Sequence, residues 1–145
     1  MNLTTRILTL VSATFLAASC SQTKSVSVSQ PSVIKSARSA YVVKPDDSSR
    51  DIEIFLKDSL ATKGLNSKTG SISSKPSSAD IYVTYLDRWH WDMTMYLRTL
   101  DISVINNRNG EEVATGKYRN SALHGYPDPK KTCEELVDKI FAEAN

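Results

Sequence analysis

The chain has 145 residues, a length that fits one domain rather than two. Apolar residues make up 40% and charged residues 23%, with five glycines and five prolines, which excludes collagen, low-complexity disorder and a long coiled coil. The formal net charge of +2, from 18 basic and 16 acidic residues without a long run of either sign, lacks the basic footprint of a nucleic-acid binder. Two cysteines do not make a disulfide scaffold.

Residues 1–20 read MNLTTRILTLVSATFLAASC, with Arg6 as the only charge. The apolar and small run from Ile7 to Ala18 is 12 residues. At ~1.5 Å per residue it reaches ~18 Å, short of the ~30 Å hydrocarbon core, so it reads as a secretory signal and not as a spanning helix. Leu16-Ala17-Ala18-Ser19-Cys20 resembles the bacterial lipobox, with Ala17 where leucine is usual and Leu16 one place further back. That resemblance implies a diacylglycerol and fatty acyl (palmitate) anchor on Cys20 after cleavage of residues 1–19. The alternative is an ordinary cleavage after Ala18 that leaves Cys20 unmodified. Ser21, not Asp, follows the cysteine, which by resemblance to Gram-negative sorting implies the outer membrane, periplasm-facing.

Residues 21–40 hold seven serines and Pro31, so 20–32 reads as a flexible tether and 33–145 as the folded domain. Ala40-Tyr41-Val42-Val43-Lys44 reads as a strand that could start as early as Val33 and stops at Pro45. Ser48 and Asp51 supply a shortened capping box, and Ile52, Phe55, Leu56 and Leu60 share one helical stripe, which predicts a helix over 49–63 closed by Gly64. Residues 66–79 read as a serine-rich loop, at most with a marginal strand around Ser71–Ser74 because of Pro76. Asp80–Asp92 is apolar on both faces and reads as a central strand. Met93–Asn106 alternates as a strand half in water, and Glu111–Asn120 returns through the turn Asn107–Gly110. Asp128 and Pro129 start a final helix whose stripe is Cys133, Leu136, Val137, Ile140 and Phe141.

The order β-α-(β)-β-β-β-α predicts an α+β two-layer sandwich, a mainly antiparallel sheet of about four strands with two helices on one face. The expected core runs through Val42, Phe55, Leu56, Leu60, Ile81, Val83, Leu100, Ile102, Val104, Leu136, Val137 and Ile140.

Chemistry is sparse. His90, His124, Cys133 and Cys20 share no metal-ligand spacing, so no metal and no cofactor are expected. Cys133, on the last helix's apolar stripe, reads as a buried inert thiol, with an intermolecular disulfide as the alternative. No G-x-S-x-G elbow and no glycine-rich phosphate loop occur, and the pairs Asp46-Asp47 and Glu111-Glu112 sit at turns or caps. Trp89-His90-Trp91-Asp92-Met93 is the unusual segment. Its tryptophans are either core that closes one end of the sandwich or an exposed patch that docks a protein, a glycan or the membrane interface, and alternation puts Trp89 and Trp91 on one face.

Cys20, the helix end Leu60-Ala61-Thr62-Lys63-Gly64, Ser78-Ala79-Asp80-Ile81-Tyr82-Val83, Leu100-Asp101-Ile102, the hairpin Asn107–Gly110 and Val113-Ala114-Thr115-Gly116 together resemble small Gram-negative outer-membrane lipoproteins, many of unknown function. Curli-secretion and lipopolysaccharide-assembly lipoproteins are similar in architecture. The resemblance implies an assembly or scaffold role by analogy only. The expectation is a lipid-anchored, non-enzymatic envelope protein that binds a protein or envelope-polymer partner. The alternatives are a small periplasmic hydrolase and a purely structural lipoprotein without a specific ligand.

Overall fold

The computed structural model describes residues 22–46, 50–121 and 125–145. In chain order the elements are β1 (Gln22–Val28), α1 (Pro31–Ser36), β2 (Ser39–Val43), α2 (Ile52–Thr62), β3 (Asn66–Gly70), a single 3-10 turn (Ile72–Ser74), β4 (Ile81–Asp92), β5 (Thr94–Asn106), β6 (Glu112–Asn120) and α3 (Pro129–Ala144). The strands form one mixed sheet in the order β1-β6-β5-β4-β2-β3. β2, β3 and β4 are parallel, and β5, β6 and β1 follow antiparallel. The architecture is α+β with an open sheet, as the sequence implies. It has six strands rather than about four, and three helices rather than two, and its β2–α2–β3 unit is a parallel crossover.

Two strands escape a reading by composition. Residues 22–28, expected as tether, form β1, paired with β6 from Gln22↔Asn120 to Val28↔Ala114. The physical reason is alternation. Gln22, Lys24, Val26 and Val28 are half-buried while Thr23, Ser25 and Ser27 face water, so the serines mark the wet side of an edge strand. Lys24 is fixed by Glu135 of α3 at 2.6 Å and lies 5.4 Å from the Tyr118 ring centroid. Residues 31–36, expected as loop or early strand, form α1, with Pro31 in its first turn and Ile34 in the core. β3 comes at Asn66–Gly70, earlier than the expected Ser71–Ser74, which is a 3-10 turn instead. NSKTG has no apolar run. It is held through its pairing with β2 and through hydroxyls, Ser67 donating to the Lys57 carbonyl at 2.7 Å and Thr69 to the Val42 carbonyl at 2.9 Å.

The helices keep their expected stripes. α2 is shorter than 49–63, because Asp51 takes φ 59° as its N-cap residue and cannot be helical; Ser48 of the expected capping box lies outside the described residues. Gly64, at φ 85°, follows the C-cap in the left-handed conformation that glycine adopts without penalty. α3 starts as expected, the Asp128 carboxylate accepting from the Lys130 N–H at 2.9 Å.

The helices cover one sheet face. All the expected core residues are buried there except Phe55, which is half-buried against them, and Ile34, Leu97, Ala114 and Tyr118 join. The closest seat is at Gly116 of β6. A Cβ placed there would stand 3.3 Å from Ile140 Cδ1 and 3.6 Å from Leu136 Cδ2, so α3 lies directly on strand backbone. On the other face a smaller cluster of Tyr41, Val43, Ala79 and Tyr82 is covered by the serine-rich segment. Tyr41 donates to the Ser71 carbonyl at 3.0 Å, and Lys75 Nζ is 4.3 Å from the Tyr82 ring centroid. Asn107 Nδ2 donates to the Ala79 carbonyl at 2.8 Å and to the Pro76 carbonyl at 3.2 Å, clamping that segment to the β5–β6 turn.

Truncating Leu136 or Ile102 to Ala should cost roughly 2–5 kcal/mol, because both are fully enclosed. Gly116→Leu should lower the melting temperature comparably by lifting α3. Chemical denaturation of the three variants checks this, and unchanged midpoints would contradict the packing.

Candidate functional site

β4 and β5 run past the rest of the sheet. The β5–β6 ladder ends at Thr99↔Arg119, whereas the β4–β5 ladder continues to Asp92↔Thr94 and reverses at Met93, φ 58°. A register shift falls between Arg88 and Trp89, with Arg98 as the extra residue on β5. Beyond the bulge the hairpin is braced on both sides. Trp89 packs half-buried on the main core beside Leu97, with the Arg50 guanidinium 4.9 Å from its ring centroid and Asp87 accepting from its indole N–H. On the opposite face Tyr96, buried, meets His90 edge-on at 5.6 Å and Tyr126 at 5.9 Å. Tyr126 also donates to the Asp92 carbonyl at 2.9 Å.

The tip is different. Trp91 is 68% exposed and Met93 88%, and Met95, paired with Trp91, is 37% exposed. Trp89 and Trp91 point to the same side two residues apart, as alternation predicts, yet they do not form one surface. Trp89 is wedged into the domain and Trp91 stands outside it.

The remaining candidates are structural in geometry. Glu53, in the first turn of α2, is buried; it accepts from the Tyr85 hydroxyl at 3.0 Å and pairs with Lys44 Nζ at 3.0 Å. Burial pushes its carboxyl up, but its own backbone N–H, Lys44 and Tyr85 outweigh that and hold it below the usual range. This group was not singled out by sequence, since Lys44 and Tyr85 are far from it in the chain. Asp80 accepts from the backbone N–H groups of Arg38 and Ser39 at 2.9 and 3.0 Å and from the Ser39 hydroxyl at 2.9 Å, which lowers its pKa. It fixes the start of β2. Burial pushes the Cys133 thiol up to about 12, with Asp87, Glu134 and Asp128 adding to the shift, so it stays protonated and is a poor nucleophile. Burial and Glu135 likewise raise Tyr118 to about 12.

Two open depressions lie at the end of the sheet away from the hairpin. One, about 300 Å³, includes Ser36, Asp80, Asn106 and Arg108. The other, about 360 Å³, is rimmed by Lys35, Arg38 and Lys63 beside Phe141. Neither brings a nucleophile to a base. The Ser36 hydroxyl donates to the Val33 carbonyl at 3.3 Å, and Asp80 is occupied as described. Among the described residues no three His, Cys, Asp or Glu side chains converge as a metal site, and no helix is long and apolar enough to cross a membrane. Cys20, the expected lipidation residue, and His124 lie outside the described residues.

No family model matches the chain, and no curated protein matches its sequence. Its fold is similar to that of solved structures. A PelC dodecamer from Paraburkholderia phytofirmans superposes with a TM-score of 0.57 at 11% identity, over 85% of this chain and 96% of that one. A single-substitution variant of that protein, also a dodecamer, gives 0.56 at 12%, over 86% and 98%. A minor lipoprotein from Acinetobacter baumannii overlaps at 0.39 and 15% identity, over 74% and 90%, too low a score to argue from. At these identities the PelC likeness shows a shared fold.

Trp91→Ala should leave stability within about 0.5 kcal/mol, as for an exposed residue, whereas Trp89→Ala should destabilise measurably, by less than the ~3–5 kcal/mol of a fully buried tryptophan. Equal melting temperatures for the two variants would contradict their different burial. A carboxylate with a lowered folded pKa contributes stability above its unfolded value of about 4.3, and that contribution is lost as pH falls through the folded value. Glu53→Gln should therefore lower the melting temperature at pH 7, and the difference from the parent should shrink below about pH 4.

Proposed function

We propose that this chain is a lipid-anchored, non-enzymatic cell-envelope protein, held at the outer membrane through Cys20, whose domain binds a protein or envelope-polymer partner in an assembly or scaffold role. The observation that carries the reading is the junction between sequence pattern and fold. The lipobox-like Leu16–Cys20 segment ends two residues before β1 begins at Gln22. An acyl anchor there holds the sheet at the bilayer without a long spacer. Several acyl chains on one cysteine bind firmly, because each buried methylene adds ~0.8 kcal/mol.

The surface offered to a partner is the sheet face that the helices leave bare. Across β1, β6 and β5 it carries Ser25, Lys117, Asp101, Thr99 and Arg119, with Asp101 and Arg119 paired at 2.8 Å. Hydroxyls and both charge signs on an open sheet suit hydrogen bonding to a polar polymer or protein. A second reading is self-association. It is supported by the dodecameric state of the PelC structures that share the fold and by the two sheet edges, β1 and β3.

Cys20→Ala should abolish incorporation of labelled palmitate and release the protein from the membrane fraction. A variant that still takes up label and sediments with membranes overturns the anchor. Affinity capture from solubilised envelopes, with the mass of the purified detergent complex measured in parallel, separates the readings. A distinct partner supports the first and a multiple of the chain mass the second, while turnover on an ester or glycan panel would replace both with a hydrolase.

A further inference from the structure

The hairpin tip and the proposed anchor lie at the same end of the sheet. β1 runs antiparallel to β6, and its first residue, Gln22, pairs with Asn120, the last of β6. One row away, Thr23, Arg119, Thr99 and Arg88 stand level across β1, β6, β5 and β4. From that row β4 and β5 continue outward to Met93, past the level of Gln22, the described residue nearest Cys20 in sequence. Gln22 lies one residue beyond that row and Met93 five, so at roughly 3.3 Å per strand residue the tip stands about 13 Å beyond Gln22. Two residues of chain place Cys20 no more than about 7 Å from Gln22. The tip therefore reaches roughly 6 Å further out than the farthest position open to the anchor residue, within the ~5–10 Å to which amphipathic segments enter a bilayer interface.

Its composition fits that position. Four of the seven large apolar side chains exposed among the described residues, Trp91, Met93, Met95 and Tyr126, belong to this end. Trp91 offers the amphipathic ring favoured at the headgroup level, and Met93 the flexible apolar chain at the apex. The arch behind them is stiff, braced by Trp89 on the core and by the Tyr96–His90 and Tyr96–Tyr126 edge contacts, so the tip is held out rather than folded back.

We propose that the β4–β5 tip, Trp91, Met93 and Met95, is a second membrane contact that enters the bilayer interface beside the acylated Cys20 and fixes the domain's orientation on the membrane. This rests on the anchor proposed above; the occupant is the lipid bilayer, and docking to a protein is the competing outcome.

The chain has two tryptophans, so intrinsic fluorescence reads Trp89 and Trp91 alone. The full chain, purified from membranes and reconstituted in phosphatidylethanolamine–phosphatidylglycerol vesicles, is first weighed by mass spectrometry for acylation of Cys20. In the Trp89→Phe variant the remaining Trp91 emission should shift to the blue on reconstitution and be largely lost to lipids brominated near the headgroup. In the Trp91→Phe variant the Trp89 emission should change little. Met93→Asp, which suits the left-handed backbone at that residue, should protect Trp91 from quenching without changing the melting temperature. An acylated, vesicle-bound chain whose Trp91 is unquenched overturns the tip contact and leaves the anchor standing. Protection of Trp91 only by a co-purified protein assigns the tip to that protein and likewise overturns it. An unacylated Cys20 overturns the anchor reading and the tip contact with it.

Discussion

The structure depends on the seat of α3 against the sheet. Ile140 and Leu136 rest on Gly116, the one position of β6 where a side chain is missing between Ala114 and Tyr118. That gap brings the helix close enough for Cys133, Val137 and Ala144 to be enclosed as well, and it sets the surface against which the rest of the helical layer packs. Lys24 of β1 reaches Glu135 of α3, and Lys63, just past α2, reaches Asp138 at 2.5 Å. These partly exposed pairs add little energy by themselves, but they show the edge strand and the second helix registered on the same helix. A wider separation at Gly116 would loosen all of them together.

The two faces of the sheet are treated unequally. Helices cover one along the length of the main core. On the other, the serine-rich segment clamped through Asn107 covers the β2–β4 corner, and Tyr126 packs on the buried Tyr96 at the hairpin end. Parallel strands buried on both faces require cover on both faces, and β2, between β3 and β4, is such a strand, buried from Ala40 to Val43. The segment that composition reads as loop is therefore the lid of a small second core. The antiparallel half of the sheet has no such requirement, and apart from Tyr96 it stays open, which leaves its hydroxyl-rich face free across β1, β6 and β5.

What was legible in the sequence follows from which signals are local. The stripes of α2 and α3, the alternation of β4 and β5, and the Asn107–Gly110 turn are written within a few residues of themselves, and the fold class with most of the core follows from them. β1 and β3 were hidden because their serines, threonines and lysines owe their conformation to partners far along the chain, β6 for the first and β2 for the second. The parallel pairing of β2 with β3 and β4, invisible to periodicity, makes a mixed sheet of the mainly antiparallel one expected. At the candidate site the segment Trp89–Met93 was conspicuous by composition, but its division into a wedged Trp89 and an exposed Trp91 came from the bulge at Arg88 and from Leu97 and Arg50, none of which the spacing announces. The buried Glu53 needed Tyr85 of β4 and the exposed Lys44 just past β2 to meet it on α2.

The early start of β1 has a mechanical consequence for an anchored domain. If Cys20 carries the lipid, any pull between membrane and domain enters at Gln22, at the end of an edge strand, and acts along that strand. The hydrogen bonds of an antiparallel pair lie perpendicular to the strands. A load along β1 therefore strains the rungs from Gln22↔Asn120 to Val28↔Ala114 together, in shear, and does not peel them one at a time. A flexible tether would have let the domain turn until the edge strand was pulled sideways. With a lipid on Cys20, folding the chain into the sheet from Gln22 onward would avoid that geometry, and the braced hairpin at the same end would resist the tilt that restores it. The serines of β1 then need no spacer role: they are the wet side of an edge strand, which under such an anchor would carry the load.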